Sequence, residues 1–216
     1  MFTLSEELLL LSIHETKGVF FSSALEHLKP GLAGAILAEL ALAGKIQATP
    51  NHRLQLIDDS PAQSEGLNKV IAALKEADKE RKFGYWIGAL SQKADKYQER
   101  AIESLVQKGV FTQDDERLLW VIPSPLQPEA KASTKYLVTK RLRGMALAQE
   151  DSQKRDLVLL SLLSACGLLD LVFLRDERKL AARYINEKLY SQAMSDPVIQ
   201  TVQEIDAAVE AVVEED

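Results

Sequence analysis

Apolar residues recur along most of this chain at helical spacing, and polar residues mark where helices begin and end. Thr3-Leu4-Ser5-Glu6 has the form of a capping box, and the Leu8-Leu9-Leu10-Leu11 run behind it is apolar on nearly every side, which predicts a buried first helix. Gly18 and Val19-Phe20-Phe21 suggest a turn and a short extended piece. Ser22 or Ser23 then caps a short helix that stops at Pro30. Ile36, Leu37, Leu40 and Ala41 predict a helix over 32–43, closed by Gly44 at C′. A hairpin follows, with strands over 45–48 and 53–57 and a turn at Thr49-Pro50-Asn51-His52. The same succession recurs: a helix over 97–108, Gly109, and a hairpin with strands over 110–112 and 117–122. Two copies are a distant duplication or a coincidence of common parts, and too few for a solenoid. Between them lie predicted helices over 65–80 and 83–90.

The second half reads as helical throughout. Three prolines within 123–128 make a rigid connector, assigned to 123–129. Residues 130–148 form a basic helix, 157–174 an apolar one with Gly167 as a point of division, and Asp196-Pro197 starts a final helix with Pro at N1. The expectation is a mainly α, single-domain protein with two small β-hairpins. Residues 1–122 hold two helix–hairpin units, and 130–216 form a helical half.

Composition narrows the function. Of 216 residues, 46% are hydrophobic and 27% charged, as in a globular protein with a real core. The 26 basic and 32 acidic residues give a net charge of −6, so an anionic partner must find a local basic patch. One cysteine excludes a disulfide scaffold, and three histidines without ligand spacing offer no metal site. Because Met1 leads almost directly into a helix, no signal peptide is expected, and the chain reads as cytoplasmic. The 157–174 run approaches the length of a membrane span. Ser161, Ser164, Gly167 and Asp170 within it favour a core helix, with Cys166 as a small buried hydrophobe.

Charge is unevenly spread. Lys131, Lys135, Lys140, Arg141 and Arg143 occupy 130–143 without an acid, and 196–216 carries acids without a base. At about 100° per residue the five cations surround their helix, so they are expected to pair internally with the acidic segment. The helix–hairpin units resemble a winged helix, which makes a nucleic-acid-binding or regulatory protein the alternative reading. The 32–43 helix, however, has no Arg, Lys, Asn or Gln to reach bases. The 97–108 helix offsets Gln98, Arg100, Gln107 and Lys108 with Glu99 and Glu103. No nucleic acid is expected as a partner. GxSxG, P-loop and GxGxxG motifs are all missing, and the Asp58-Asp59 and Asp114-Asp115 pairs fall at turns, where carboxylates cap amides. No catalytic residue, metal ligand or cofactor is assigned.

Several segments taken in order carry a family resemblance. These are Phe2-Thr3-Leu4-Ser5-Glu6-Glu7-Leu8-Leu9-Leu10, the stretch from Gly31-Leu32-Ala33-Gly34 to Gly44-Lys45-Ile46, Trp86-Ile87-Gly88-Ala89-Leu90, Glu99-Arg100, Leu105-Val106-Gln107-Lys108-Gly109-Val110, and the apolar run after Lys154-Arg155. Together they resemble the Golgi phosphoprotein 3 family over nearly the whole chain. The resemblance implies buried central helices ringed by amphipathic ones. It also implies a non-enzymatic peripheral membrane scaffold: eukaryotic members bind phosphatidylinositol 4-phosphate, hold the tails of Golgi glycosyltransferases and link them to vesicle coats.

At the headgroup positions the chain departs from the family. No Trp lies between Gly18 and Gly31, Ala33 stands where the family has Arg, and Asp95 and Gln98 replace two basic residues ahead of Glu99-Arg100. Ala33, Asp95, Gln98 and Arg100 are therefore the candidate headgroup-equivalent site, degenerate here, and an anionic lipid surface is expected to bind weakly. In the family the second hairpin mediates self-association and touches the bilayer. Here Leu118, Leu119 and Trp120 keep its apolar edge behind Asp114-Asp115-Glu116, which predicts oligomerisation more than insertion. The family's long polar N-terminal arm is not seen before Thr3, so the chain looks like a compact, prokaryote-type relative, cytoplasmic and peripheral to a membrane.

Overall fold

The computed structural model describes residues 2–14, 19–111, 128–151 and 153–215. Among these are nine α-helices and one three-stranded antiparallel sheet. Helix α1 (Leu4–Ser12) begins at the predicted capping box. The Thr3 hydroxyl accepts from the Glu6 amide at 3.2 Å, and the Glu6 carboxylate accepts from the Thr3 amide at 2.7 Å. Every residue of α1 except Ser5 is buried.

Helix α2 (Ser22–Leu42) is the central rod, and it differs from the prediction: it runs straight through Pro30. Proline has no N–H for the Glu26 carbonyl, but Glu26 is exposed, so water can take that acceptor. Tight packing just beyond Pro30 accompanies the unbroken helix. A Cβ on Gly31 would sit 2.9 Å from Cys166 Sγ, and one on Gly34 would sit 2.7 Å from both Leu162 and Val209. Only glycine lets the three helices approach so closely. The 32–41 face is almost wholly buried, so the recognition helix that the winged-helix reading needs on the surface is core.

Strands β1 (Ile46–Ala48) and β2 (Arg53–Leu56) form the first predicted hairpin, with Ile46 opposite Leu56 and Ala48 opposite Leu54. A third strand, β3 (Arg81–Lys82), pairs with β2 and was not foreseen. It also explains why α3 (Glu65–Lys75) stops five residues short of the predicted end. Asp78 is a weak helix former inside 76–80, and the chain leaves the helix there to bring Arg81 and Lys82 beside β2. Helices α4 (Phe83–Ser91) and α5 (Ala94–Gln107) follow as expected, and Gly109 takes a left-handed φ of +71° beyond α5. The second hairpin, with Leu118, Leu119 and Trp120, and most of the proline-rich connector lie outside the described residues.

Helices α6 (Pro128–Ala148), α7 (Lys154–Ala165), α8 (Arg178–Ala193) and α9 (Pro197–Glu215) complete the domain. Gly167 ends the apolar run at φ +67°, and a 3₁₀ turn, Leu169–Leu171, follows. Asp196 caps α9 by accepting from the Val198 amide at 3.0 Å. Helix α9 lies against α2, α4, α7 and α8 and buries Ile199, Val202, Ile205 and Val209. Thr201 ties it to the sheet by accepting from the Ala48 amide at 2.9 Å. Among the described residues no helix is long and apolar enough to cross a membrane.

Candidate functional site

Helices α2 and α5 pack together and carry the four headgroup-equivalent positions. Ala33 is completely buried on α2. Lys29, one turn earlier on the same face, meets Asp95 of α5 at 3.4 Å; both side chains are more than half exposed. Gln98 follows Asp95 by one turn and is half-buried. Between α2 and α5 the ammonium paired with Asp95 is that of Lys29.

Arg100 does not join them. Five residues beyond Asp95, it lies about 140° further round α5. Its guanidinium is 3.7 Å from Glu65 and close to the start of α3. There it lines a groove of about 510 Å³ between α1, α3 and α5. Glu6, Glu39, Glu65 and Glu103 outnumber Arg100 and Lys108 along its walls, and Lys108 already holds Glu6 at 2.6–2.7 Å. Glu39 in the same wall is held by Arg155 at 2.8 Å. The expected single cleft of four residues is therefore two separate surfaces.

The main polar feature of the interior was not foreseen as a unit. Glu7 and Asp156, both nearly fully buried, flank Arg141: its Nη2 donates to Glu7 at 2.8 Å and its Nε lies 2.6 Å from Asp156. Arg155, only 13% exposed, grips Glu39 through two nitrogens at 2.8 and 3.2 Å and donates to the Phe2 carbonyl at 2.8 Å. Glu39 in turn accepts from the Leu4 amide at 2.9 Å. Desolvation pushes the Glu7 carboxyl above its ordinary range, opposed by Arg141 and Arg155. A cavity of about 570 Å³ opens beside the cluster, against Phe2, Arg141 and Gln153. Its carboxylates face guanidinium groups, with no nucleophile–base pair among them. The arrangement ties α1, α2, α6 and the start of α7 together. The legible signal was a lone acid in an apolar helix, Glu39, and a charged pair, Arg155-Asp156, ahead of a leucine run.

The basic helix pairs internally, as expected, but with different acids. Besides Arg141, Arg143 forms two hydrogen bonds to Glu177 at 2.6 and 2.7 Å, and Lys135 donates to the Ile13 carbonyl at 2.7 Å. None of these partners comes from 196–216. Segment order decided the pairing, because α6 packs on α1, α7 and α8. Asp58, expected to cap a turn, accepts from the Ser60 amide and also from the buried Lys45 at 2.7 Å. Hydrogen bonding from Lys45 holds its carboxyl down near 2. Cys166 is buried and burial pushes its thiol up. No group of three or more potential ligands gathers for a metal among the described residues.

The described residues form a mainly helical domain in which a charged cluster ties α1, α2, α6 and α7 together. The sequence profile of Golgi phosphoprotein 3 (GPP34) matches residues 4–208, and the chain belongs to that family. It is 27% identical over 159 residues to a vacuolar protein sorting-associated protein 74 from Eremothecium gossypii. That match covers 65% of this chain and 47% of the relative, so the chain spans about half the length of the curated protein it matches.

Proposed function

We propose that this chain is a non-enzymatic, peripheral-membrane scaffold or adaptor of the Golgi phosphoprotein 3 family, cytoplasmic, whose phosphoinositide headgroup site has lost its grip. The observation that carries this reading is the α2–α5 contact. A methyl group buried at Ala33 cannot reach a phosphate, and Asp95 neutralises the nearby ammonium of Lys29. A role in protein sorting, as the name of the Eremothecium gossypii relative states for that protein, fits a surface-binding domain. Self-association belongs to the second hairpin, through Leu118, Leu119 and Trp120, in this reading.

Liposome sedimentation tests it. Vesicles containing phosphatidylinositol 4-phosphate should retain no more protein than vesicles containing the same charge as phosphatidylserine. Selective, submicromolar binding to the phosphoinositide would refute the loss of the headgroup site.

A further inference from the structure

The buried charges where α1, α6 and α7 meet are almost completely paired. Glu7 Oε1 accepts from Arg141. Asp156 meets Arg141 Nε with one oxygen, and its other oxygen accepts from the Gln153 amide at 3.2 Å. Both oxygens of Glu39 are held by the two terminal nitrogens of Arg155. Two atoms of the cluster are left over: Glu7 Oε2 and Arg155 Nε, each buried and without a hydrogen-bond partner among the described residues. They stand 3.9 Å apart, close enough to attract but too far for a direct hydrogen bond. A buried donor and a buried acceptor left unmade side by side are costly, and such a gap marks the place of a bridging group.

The chemistry of that group is narrow. Arg155 Nε only donates, and the Glu7 carboxylate only accepts. A phosphate or carboxylate would suit the arginine but would meet the buried Glu7 and Asp156. An ammonium would suit Glu7 but would meet two guanidinium groups. A hydroxyl accepts from one side, donates to the other and adds no charge. A water molecule does the same, but the space beside the pair is far larger than one water. Both residues line the cavity of about 570 Å³, whereas a water takes up about 30 Å³, and small-molecule sites span roughly 300–1,000 Å³. More hydroxyl partners stand along its wall. Arg141, 40% exposed, has Nε and Nη2 engaged and keeps Nη1, and Asp151 and Gln153 are exposed beside it. Phe2 supplies apolar lining for a carbon frame.

We propose that this cavity binds a small, uncharged polyhydroxyl ligand, a sugar or polyol, whose innermost hydroxyl bridges Arg155 Nε and Glu7 Oε2. The site is separate from the α2–α5 contact and does not depend on the peripheral-membrane reading.

The test titrates the whole chain with D-glucose and D-mannitol, followed by the amide signals of 151–156 in NMR spectra. Glucose 6-phosphate and glucosamine serve as the charged counterparts. The neutral compounds should saturate with a Kd of about a millimolar, near what about a dozen heavy atoms can supply. Glu7→Gln removes the charged acceptor, and Gln153→Trp fills the cavity from an exposed position; each should weaken binding by about tenfold. Gln153→Trp leaves every buried charge in place, so with an unchanged Tm it decides the matter even where Glu7→Gln does not fold. No saturation by either neutral compound in the millimolar range would mean that water alone fills the gap, and would overturn the inference. Tighter binding of the phosphate or the amine would overturn it too, as would a folded Gln153→Trp that binds like the wild type. None of these results bears on the loss of the headgroup site, which the liposome experiment decides by itself.

Discussion

Replacing Arg155 by Met should be the most destabilising conservative change in the charged interior. The substitution keeps much of the volume but removes three hydrogen bonds, two to Glu39 and one to the Phe2 carbonyl. Glu39, with 19% of its side chain exposed, is left as a carboxylate without a cation. Removing one partner of a buried pair typically costs about 3–5 kcal/mol. The lower end applies here, because Glu39 keeps the Leu4 amide at 2.9 Å and its partial exposure admits water. About 3 kcal/mol in a chain of this length lowers Tm by roughly 6–12 °C. Urea titrations followed by far-ultraviolet circular dichroism measure the loss. The double variant Arg155→Met with Glu39→Gln is the critical control. The amide oxygen still accepts from Leu4, but the orphaned charge is gone, so the double variant should regain about 1–2 kcal/mol over Arg155→Met alone. A single-variant loss below about 1 kcal/mol, or a double variant no better than the single one, would refute the account of the cluster as a set of mutually dependent charges.

Asp206 of α9 is held up at about 7 by burial, and its Oδ2 has no hydrogen-bond partner. Its folded pKa exceeds the ordinary carboxylate value, so it favours the folded state fully only below about pH 4 and loses that contribution as pH rises to about 7. Asp206→Asn should therefore raise stability at pH 8 by no more than about 4 kcal/mol and flatten the slope between those limits; a variant less stable than the wild type at pH 8 would show that the carboxylate itself stabilises. Gly34→Ala places a methyl 2.7 Å from Leu162 and Val209 at the meeting of three helices, and thermal melts should show a loss of about 1–3 kcal/mol; an unchanged Tm would mean that α2, α7 and α9 can separate at no cost.

The helices with strong local signals were legible in the sequence for local reasons. The capping box at Thr3 and Glu6, the glycine at 109 and Asp196 ahead of Pro197 each carry their meaning within four residues. What escaped depended on distant neighbours. Helix α2 continues through Pro30 where Leu8 and Cys166 pack beside Gly31, and neither is near it in sequence. Likewise β3 exists because β2 offers an open edge to Arg81 and Lys82.

The candidate site followed the same division. That Ala33, Asp95 and Gln98 lack the family's donors is readable residue by residue, since each substitution states its own chemistry. What Asp95 does instead is not, because its partner Lys29 stands on another helix and belongs to no motif. Arg100 shows the converse. Its match to the family placed it with the other three, but helical geometry turns it toward Glu65 and a groove richer in carboxylates than in cations. A motif fixes which residues are present, whereas the sign of the field they sit in is set by what the fold brings alongside. At both surfaces a charge meets its counter-charge from another element, Lys29 at Asp95 and Glu65 at Arg100, and neither pairing can be read from a motif.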